Sequence, residues 1–354
     1  MTMIDFLKNT MLDSEHKEEV RLVIIDSASK ENMPPDYIVE KDLYVSYVLD
    51  FLFNRSELRS NIEFRGGTSL SKGYDLIQRF SEDIDLVYKN EDFENEVQFI
   101  LNNKDENGIP FSKTKQRKLV EDLRKKSMNY CKNTILPIIE NEIEKEIPGL
   151  FDFGFDTKNG SILLNYEPLV DYGNKYVKPS VRIDIGMREA WTPNEPLVLN
   201  SFIGTVNKDN SNFQNGWNFK VNMIKPERTF WEKINILQQE SHRDETKDLP
   251  ERYSRHYYDI FKMASTKYKD IAKKDVDLLQ EVIKYTSILY EKKWAKINEI
   301  SAGHFSLLPH ADTIEILRSD YENMRSMIYG EYPSFEAILS SLRILERELN
   351  ELDF

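Results

Sequence analysis

Two aspartates two residues apart, Asp83 and Asp85, stand in the run from Arg79 through Phe80, Ser81, Glu82 and Ile84 to Leu86, Val87 and Tyr88. On a strand, side chains two apart project to the same face, so the two carboxylates lie side by side while Ile84 and Leu86 enter a core. Such a pair offers hard oxygen ligands to a divalent cation. Upstream, Gly66 and Gly67 close an apolar run and are followed by Thr68, Ser69 and Lys72. A double glycine lets the backbone turn sharply and approach a ligand, and the N–H groups of the helix start behind it suit an anion. Phosphate and metal at one place point to phosphoryl chemistry. By themselves, the aspartates would also fit a polar outer strand face; the glycine turn upstream is what favours the site.

A third aspartate, Asp184, lies in the extended run Ser180–Gly186, where Val181, Ile183 and Ile185 form one face and Arg182, Asp184 and Gly186 the other. Nucleotidyl transfer needs in-line attack at an α-phosphorus, with clustered carboxylates holding metal ions that activate the attacking oxygen and stabilise the leaving pyrophosphate. Asp83, Asp85 and Asp184 suit Mg2+ for this, with Mn2+ as the alternative. Asp184 reads as the general base, or at least as the carboxylate nearest the attacking hydroxyl. Ser69 is favoured for the β- and γ-phosphates, whereas Lys72 points either to solvent or back to a carboxylate.

The elements that must position these residues follow from periodicity and punctuation. Residues 1–57 read as helical, with apolar residues of Glu18 to Ser29 at helical spacing and Asp36 as the cap of a helix through Phe53. Residues 58–206 read as a mixed α/β catalytic core with a helical insertion at 112–147 interrupted near Pro137. Extended segments are expected at Ser161 to Glu167, at Ser180 to Gly186 and around Leu197 to Val206. Residues 207–354 read as a helical C-terminal domain that completes the active-site cleft, with Pro226 in a first turn and Phe230, Ile234 and Leu237 on one stripe. Ser241 to Pro250 reads as a mobile loop, and Gly330 to Pro333 sets off a last helix from Phe335 to Leu349. The fold class is therefore α+β.

The chain has 354 residues, 40% of them hydrophobic, enough for a substantial core. A formal charge of −13 argues against a surface that coats nucleic acid, so any such contact must be local. The basic run Lys113, Lys115, Arg117, Lys118, Arg124, Lys125 and Lys126 fits an RNA backbone or, as the commoner case, a solvated helix face. The single cysteine, Cys131, makes no internal disulfide, and the five histidines form no zinc pattern. With no long apolar segment and no membrane partner expected, the cytoplasm is the expected compartment. The tryptophans Trp191, Trp217, Trp231 and Trp294 read as core anchors rather than base-stacking groups.

The stretch Gly66 to Lys72, continued by Arg79 to Asp85, resembles the signature of the AbiEii/AbiGii-type toxin nucleotidyltransferases of the polymerase-β-like superfamily. Glu40-Lys41-Asp42, Arg182 to Gly186, Glu227 to Lys233 and Arg255 to Asp259 follow in that family's order. The resemblance implies a polymerase-β-like core and a toxin of a toxin–antitoxin or abortive-infection system that uses Mg2+ and a nucleoside triphosphate. It also implies a cognate antitoxin, and some relatives act on tRNA ends. By position it makes Lys233 and Asp259 catalytic or nucleotide-binding, and matches Arg255 to a nucleotide-binding position beside Gly66, Gly67, Thr68, Ser69 and Lys72. His256 departs from the family, which often carries an acidic residue there. Read without the family, Arg255 and Asp259 are an i, i+4 surface ion pair, Lys233 is a lysine snorkelling at a core boundary, and Lys41 is a solvated helix charge. The expected function is transfer of a nucleoside monophosphate from an NTP to an RNA acceptor, tRNA above all. A protein hydroxyl as acceptor, or a non-catalytic nucleotide-binding partner module, are the alternatives.

Overall fold

The first helices begin where side chains can satisfy free N–H groups. The computed structural model describes residues 1–105, 107–173, 177–213, 216–243, 248–292, 294–302 and 304–352. Thr2 and Asp5 form a capping box at α1 (Met3–Asn9), and Asp13 caps α2 (Ser14–Ala28). Helix α3 (Asp36–Asp50) starts differently from expectation: Pro35 precedes it without a side-chain cap, and Asp36 is its first helical residue. The Pro34-Pro35 pair holds the backbone extended, so the helix starts only after it and Asp36 enters the first turn, where its charge opposes the helix dipole favourably. A wider π-helical turn, Phe51–Arg55, extends this helix.

The expected strand, turn, helix and strand follow as β1 (Ile62–Arg65), α4 (Gly66–Thr68) running into a π-helical turn Ser69–Gly73, and β2 (Asp83–Tyr88). After α5 (Glu91–Asn102), the charged stretch is one long helical passage: α6 (Lys113–Tyr130), a π-helical turn Cys131–Ile135 and α7 (Leu136–Glu146). The interruption falls where Pro137 requires it. Proline has no N–H for the carbonyl four residues back and its ring crowds that carbonyl, and the wider turn just before it relieves both.

Strands β3 (Asp152–Asp156), β4 (Ser161–Asn165), β5 (Ser180–Gly186), β6 (Asn194–Asn200) and β7 (Asn218–Ile224) complete a seven-stranded sheet among the described residues, in the order β3-β4-β5-β2-β1-β7-β6. Strands β3 and β7 are additions to the sequence reading. The strand expected around Leu197 to Val206 ends at Asn200, because Ser201 caps the short helix α8 (Phe202–Val206) by accepting the Gly204 N–H. The sheet is mixed: β2 pairs antiparallel with β1 and parallel with β5, and β1 pairs parallel with β7. Ile84, Leu86, Val181 and Ile183 are buried, as the alternation requires.

The contacts of the chain define two compact units, neither contiguous in sequence. The first comprises residues 1–73, 80–94 and 121–223, and the second residues 74–79, 95–120 and 224–354. The second is built of helices: α9 (Pro226–Ser241) with Pro226 in its first turn, α10 (Ser254–Ala264), α11 (Lys267–Lys274), α12 (Val276–Leu289), α13 (Ile314–Asn323) and α14 (Phe335–Asn350). Phe230, Ile234 and Leu237 form the buried stripe of α9, and Ser334 caps α14 after the Gly330 to Pro333 break. Trp217 and Trp231 are buried, as expected of core anchors, whereas Trp191 and Trp294 are only half-buried. Of the loop expected at Ser241 to Pro250, residues 244–247 lie outside the described residues, and α9 reaches Ser241. Among the described residues no helix is long and apolar enough to cross a membrane.

Helix α3 is buried on every side from Tyr37 to Leu49, including Glu40, Lys41 and Asp42. Three successive residues of a helix point about 100° apart, so each charge must find its partner in a different direction. Glu40 accepts the N–H of Leu169 at 2.7 Å and of Val170 at 3.4 Å. Lys41 donates to the carbonyls of Lys178 at 2.8 Å and Ser180 at 2.5 Å and pairs with Glu82 at 3.2 Å. Asp42 pairs with Lys72 at 2.5 Å and accepts the Phe202 N–H at 2.7 Å. Lys41 is thus a buried fastener, not the solvated helix charge that the sequence alone allows.

Burial pushes the Glu40 carboxyl up to about 7, against the two N–H groups that favour its ionised form. The folded chain therefore holds a proton that the unfolded chain releases at lower pH, and this contribution to stability is lost as pH rises from the ordinary carboxylate range through about 7. We expect Glu40→Gln to gain stability relative to the native chain over that window, by up to about 3 kcal/mol at the alkaline end. Urea denaturation at a series of pH values checks this, and parallel pH profiles for the two chains would count against it.

Candidate active site

In the first unit the site is built on the register of two parallel strands. Asp83 on β2 stands beside Arg182 on β5, and Asp85 stands beside Asp184. On the other side of β2, Asp85 stands beside Arg65 of β1. Neighbours in register share a face, so the three aspartates and the two arginines lie on one partly exposed surface of the sheet, opposite the buried isoleucines. Arg182 Nε donates to Asp184 Oδ1 at 3.2 Å, and its Nη2 donates to Ser161 Oγ at 2.6 Å and lies 3.5 Å from Asp156 Oδ2. Partial burial lowers the Arg182 pKa, but the charges of Asp184, Asp83 and Asp156 outweigh it and raise it overall. The acidic face thus carries its own counter-charge.

The glycine turn presses directly on this face. Gly66 has φ +80°, and a Cβ there would run into the Asp85 carboxylate. Only glycine meets both conditions. Gly67 follows in the same helical turn. Thr68 is buried, and its hydroxyl lies 2.5 Å from the Asp83 carbonyl and 3.1 Å from that of Ser81, fastening the turn to the start of β2. Ser69 is buried too, and its hydroxyl donates to the Gly66 carbonyl at 2.9 Å, leaving oxygen lone pairs as acceptors. Of the two directions open to Lys72, the ammonium takes the one back to a carboxylate: it pairs with Asp42 and lies over the Phe202 ring. Cys131, in the π-helical turn, is buried, and burial together with the Asp184 charge pushes its thiol up to about 12.

The second unit gathers Lys233 of α9 and Arg255, His256 and Asp259 of α10. Asp259 is fully buried and does not form the expected surface pair with Arg255. It receives a two-pronged contact from Arg79, Nε to Oδ1 at 2.7 Å and Nη2 to Oδ2 at 2.8 Å, and Lys233 Nζ donates to Oδ2 at 2.7 Å. The i, i+4 spacing is that of a surface pair, but Asp259 lies on the inward face of α10, where buried cations from elsewhere reach it first. Burial alone would raise the Asp259 pKa, yet Arg79 and Lys233 hold it well below the usual carboxylate range. Burial lowers the Lys233 pKa, with Asp259 opposing and Arg79 reinforcing the shift. Lys233 is buried rather than snorkelling. Arg79 is the residue that sequence reasoning quoted but gave no role, since its partner lies 180 positions away and no local spacing announces it.

Several charges of the basic run are already engaged: Arg117 pairs with Glu291, Arg124 and Lys125 pair with Glu121, and Lys115 and Lys126 lie over Phe111 and Phe93. Among the described residues no group of three or more His, Cys, Asp or Glu side chains is closed up to hold a metal ion by itself. The donor chemistry nonetheless suits a hard divalent cation, because Mg2+ is commonly held by one or two carboxylates with waters and substrate phosphates completing its shell. Asp83 and Asp85 provide such a pair on an open face.

A mixed sheet carrying paired aspartates behind a glycine turn is the framework of a nucleotidyltransferase. Residues 50–341 match the family described as nucleotidyl transferase AbiEii toxin, type IV toxin–antitoxin system, and the chain belongs to that family of nucleotidyltransferase toxins. Among solved structures it is similar to MenT4, a nucleotidyltransferase toxin from Mycobacterium tuberculosis, with 14% identity and a TM-score of 0.49 over 94% of this chain and 90% of that one. No curated protein matches the sequence.

Two substitutions probe the two groupings. Gly66→Ala would strain the turn by about 1–3 kcal/mol and displace the Asp85 carboxylate, so transferase activity should fall at least about 100-fold while the melting temperature drops only modestly. Arg79→Gln leaves Asp259 with a single cation in a buried place and should destabilise the chain by about 3 kcal/mol in urea denaturation. An Arg79→Gln chain as stable as the native one would show that the buried pair contributes nothing net.

Proposed function

We propose that the chain transfers a nucleoside monophosphate from an NTP to RNA, with tRNA as the acceptor, as the toxin partner of a cognate antitoxin in the cytoplasm. The observation that carries this reading is the register that sets Asp85 beside Asp184 on one sheet face, with Gly66 closed against Asp85. Asp83, Asp85 and Asp184 would hold Mg2+ or Mn2+, whose chemistry when bound is to neutralise charge developing on the phosphates and to make the attacking oxygen nucleophilic. The main-chain N–H groups of the glycine turn, together with Ser69, face the triphosphate, while Thr68 keeps the turn attached to β2. Lys72 acts here through Asp42, holding the helical turn in position.

Asp184 is the carboxylate nearest the acceptor hydroxyl and takes its proton, with Arg182 keeping it oriented. Lys233 and Arg255 bind phosphate oxygens. In the second unit Asp259, gripped by Arg79, fixes the Lys233 ammonium; Lys233 and Asp259 are proposed as catalytic residues, as are Asp83, Asp85 and Asp184 of the first unit.

Purified chain incubated with Mg2+, each α-labelled NTP in turn, and total tRNA should place label on tRNA and release pyrophosphate. Asp85→Asn should lower the rate at least about 100-fold. Label on protein instead, or labelling that survives Asp85→Asn, would overturn the reading.

A further inference from the structure

We propose that His256 is a nucleotide-contacting residue whose imidazole takes up a proton as the triphosphate binds, the resulting imidazolium then holding a phosphate oxygen. The inference rests on the reading of Lys233 and Arg255 as phosphate-binding groups and adds to it a residue that the reading did not use.

The geometry is a charge imbalance around a histidine with an unsatisfied ring nitrogen. His256 is buried on α10, three residues before Asp259, so the two share a side of the helix. The charged groups acting on it come from three parts of the second unit: Lys233 on α9, Arg79 in the segment 74–79, and Arg255 and Asp259 on α10. The Tyr253 ring packs edge-on against the imidazole, with centroids 5.1 Å apart. Three cations therefore surround one carboxylate. Asp259 is shared by Arg79 and Lys233. Among these cations Arg255 has no ion-pair partner among the described residues, which is the condition a polyanion would satisfy.

His256 Nδ1 has no hydrogen-bond partner among the described residues, although it is shielded from solvent. A histidine retained only for packing would ordinarily satisfy its ring nitrogens, because leaving one buried and unpaired is costly. In the unliganded chain, burial and the nearby Lys233 and Arg255 charges keep the ring neutral, lowering its pKa well below the usual value. Phosphate oxygens arriving at Lys233 and Arg255 cancel the repulsion that opposes protonation and supply an acceptor. Both ring nitrogens are then donors, and the hydrogen bond to phosphate is charge-assisted.

Calorimetric titration of the full chain with each NTP and with inorganic triphosphate, in buffers of differing ionisation enthalpy between about pH 7 and about pH 8, tests this. Uptake of about one proton per bound molecule is expected, with affinity rising toward about tenfold for each unit of falling pH. Inorganic triphosphate should show the same uptake, since the phosphates alone elicit it. His256→Gln should lose the uptake and the pH dependence, while Lys233→Ala and Arg255→Ala should lose binding itself. The proton count on the native chain stands even where His256→Gln folds poorly. Binding by the native chain without proton uptake, or uptake unchanged in His256→Gln, overturns the proposal. Binding that survives both Lys233→Ala and Arg255→Ala would instead overturn the phosphate-site reading beneath it, and no binding at all would overturn both.

Discussion

The first unit depends on the cost of burying three consecutive ionisable side chains. Glu40, Lys41 and Asp42 sit inside a helix with no exposed side, and none can be left unpaired there without a penalty larger than most single contacts in a protein. Each therefore dictates where another part of the chain must be. Lys41 takes hold of the entry to β5 through the carbonyls of Lys178 and Ser180, and of the entry to β2 through Glu82. Asp42 takes hold of the turn behind the glycines through Lys72, and of α8 through the Phe202 N–H. One turn of helix thereby sets the relative positions of the two strands that carry the aspartates and of the segment that packs against them. The resemblance put Glu40-Lys41-Asp42 in the family's order, and its tie to the site is mechanical rather than chemical.

Charge on the sheet face is organised by the same economy of partners. Asp83, Asp85 and Asp184 would repel one another if nothing lay between them, and the register interleaves them with Arg65 and Arg182. Arg182 turns toward Asp184, Asp156 and Ser161, while the Asp85 carboxylate lies against the glycine turn. Gly66 closes against Asp85 because it has no Cβ, so the same absence that makes the left-handed conformation costless also makes the close approach feasible.

The second unit solves a related problem with the opposite sign. There a single buried carboxylate, Asp259, serves two buried cations, and neither Arg79 nor Lys233 is its neighbour in sequence. Low dielectric makes each of these contacts strong and the loss of either partner expensive. Arg79 belongs to a six-residue segment, 74–79, which the chain inserts into this unit on its way from the glycine turn to β2.

Local pattern determined much of this protein. The alternation in Asp83 to Tyr88 and Ser180 to Gly186 fixes strands with acidic and apolar faces, Pro226 and the Phe230, Ile234 and Leu237 stripe fix α9, and Pro137 fixes the break in the long helix. All of these express neighbours within a turn or a pleat, and so does the motif order by which the family can be recognised. Residue type and spacing were misleading where the deciding partner is distant. The i, i+4 spacing of Arg255 and Asp259 suggests an ion pair that burial redirects to Arg79 and Lys233, and Lys72, among phosphate-binding residue types, pairs with a helix 30 positions away. The edge of the strand near Leu197 was set by the Ser201 cap, a competition between two local preferences that periodicity does not rank. The sequence alone determined which residues could do chemistry, since that depends on side-chain type and short-range geometry. Tertiary structure alone decided which of them are bound to one another, because the desolvation that makes those pairings strong exists only once the chain has closed around them.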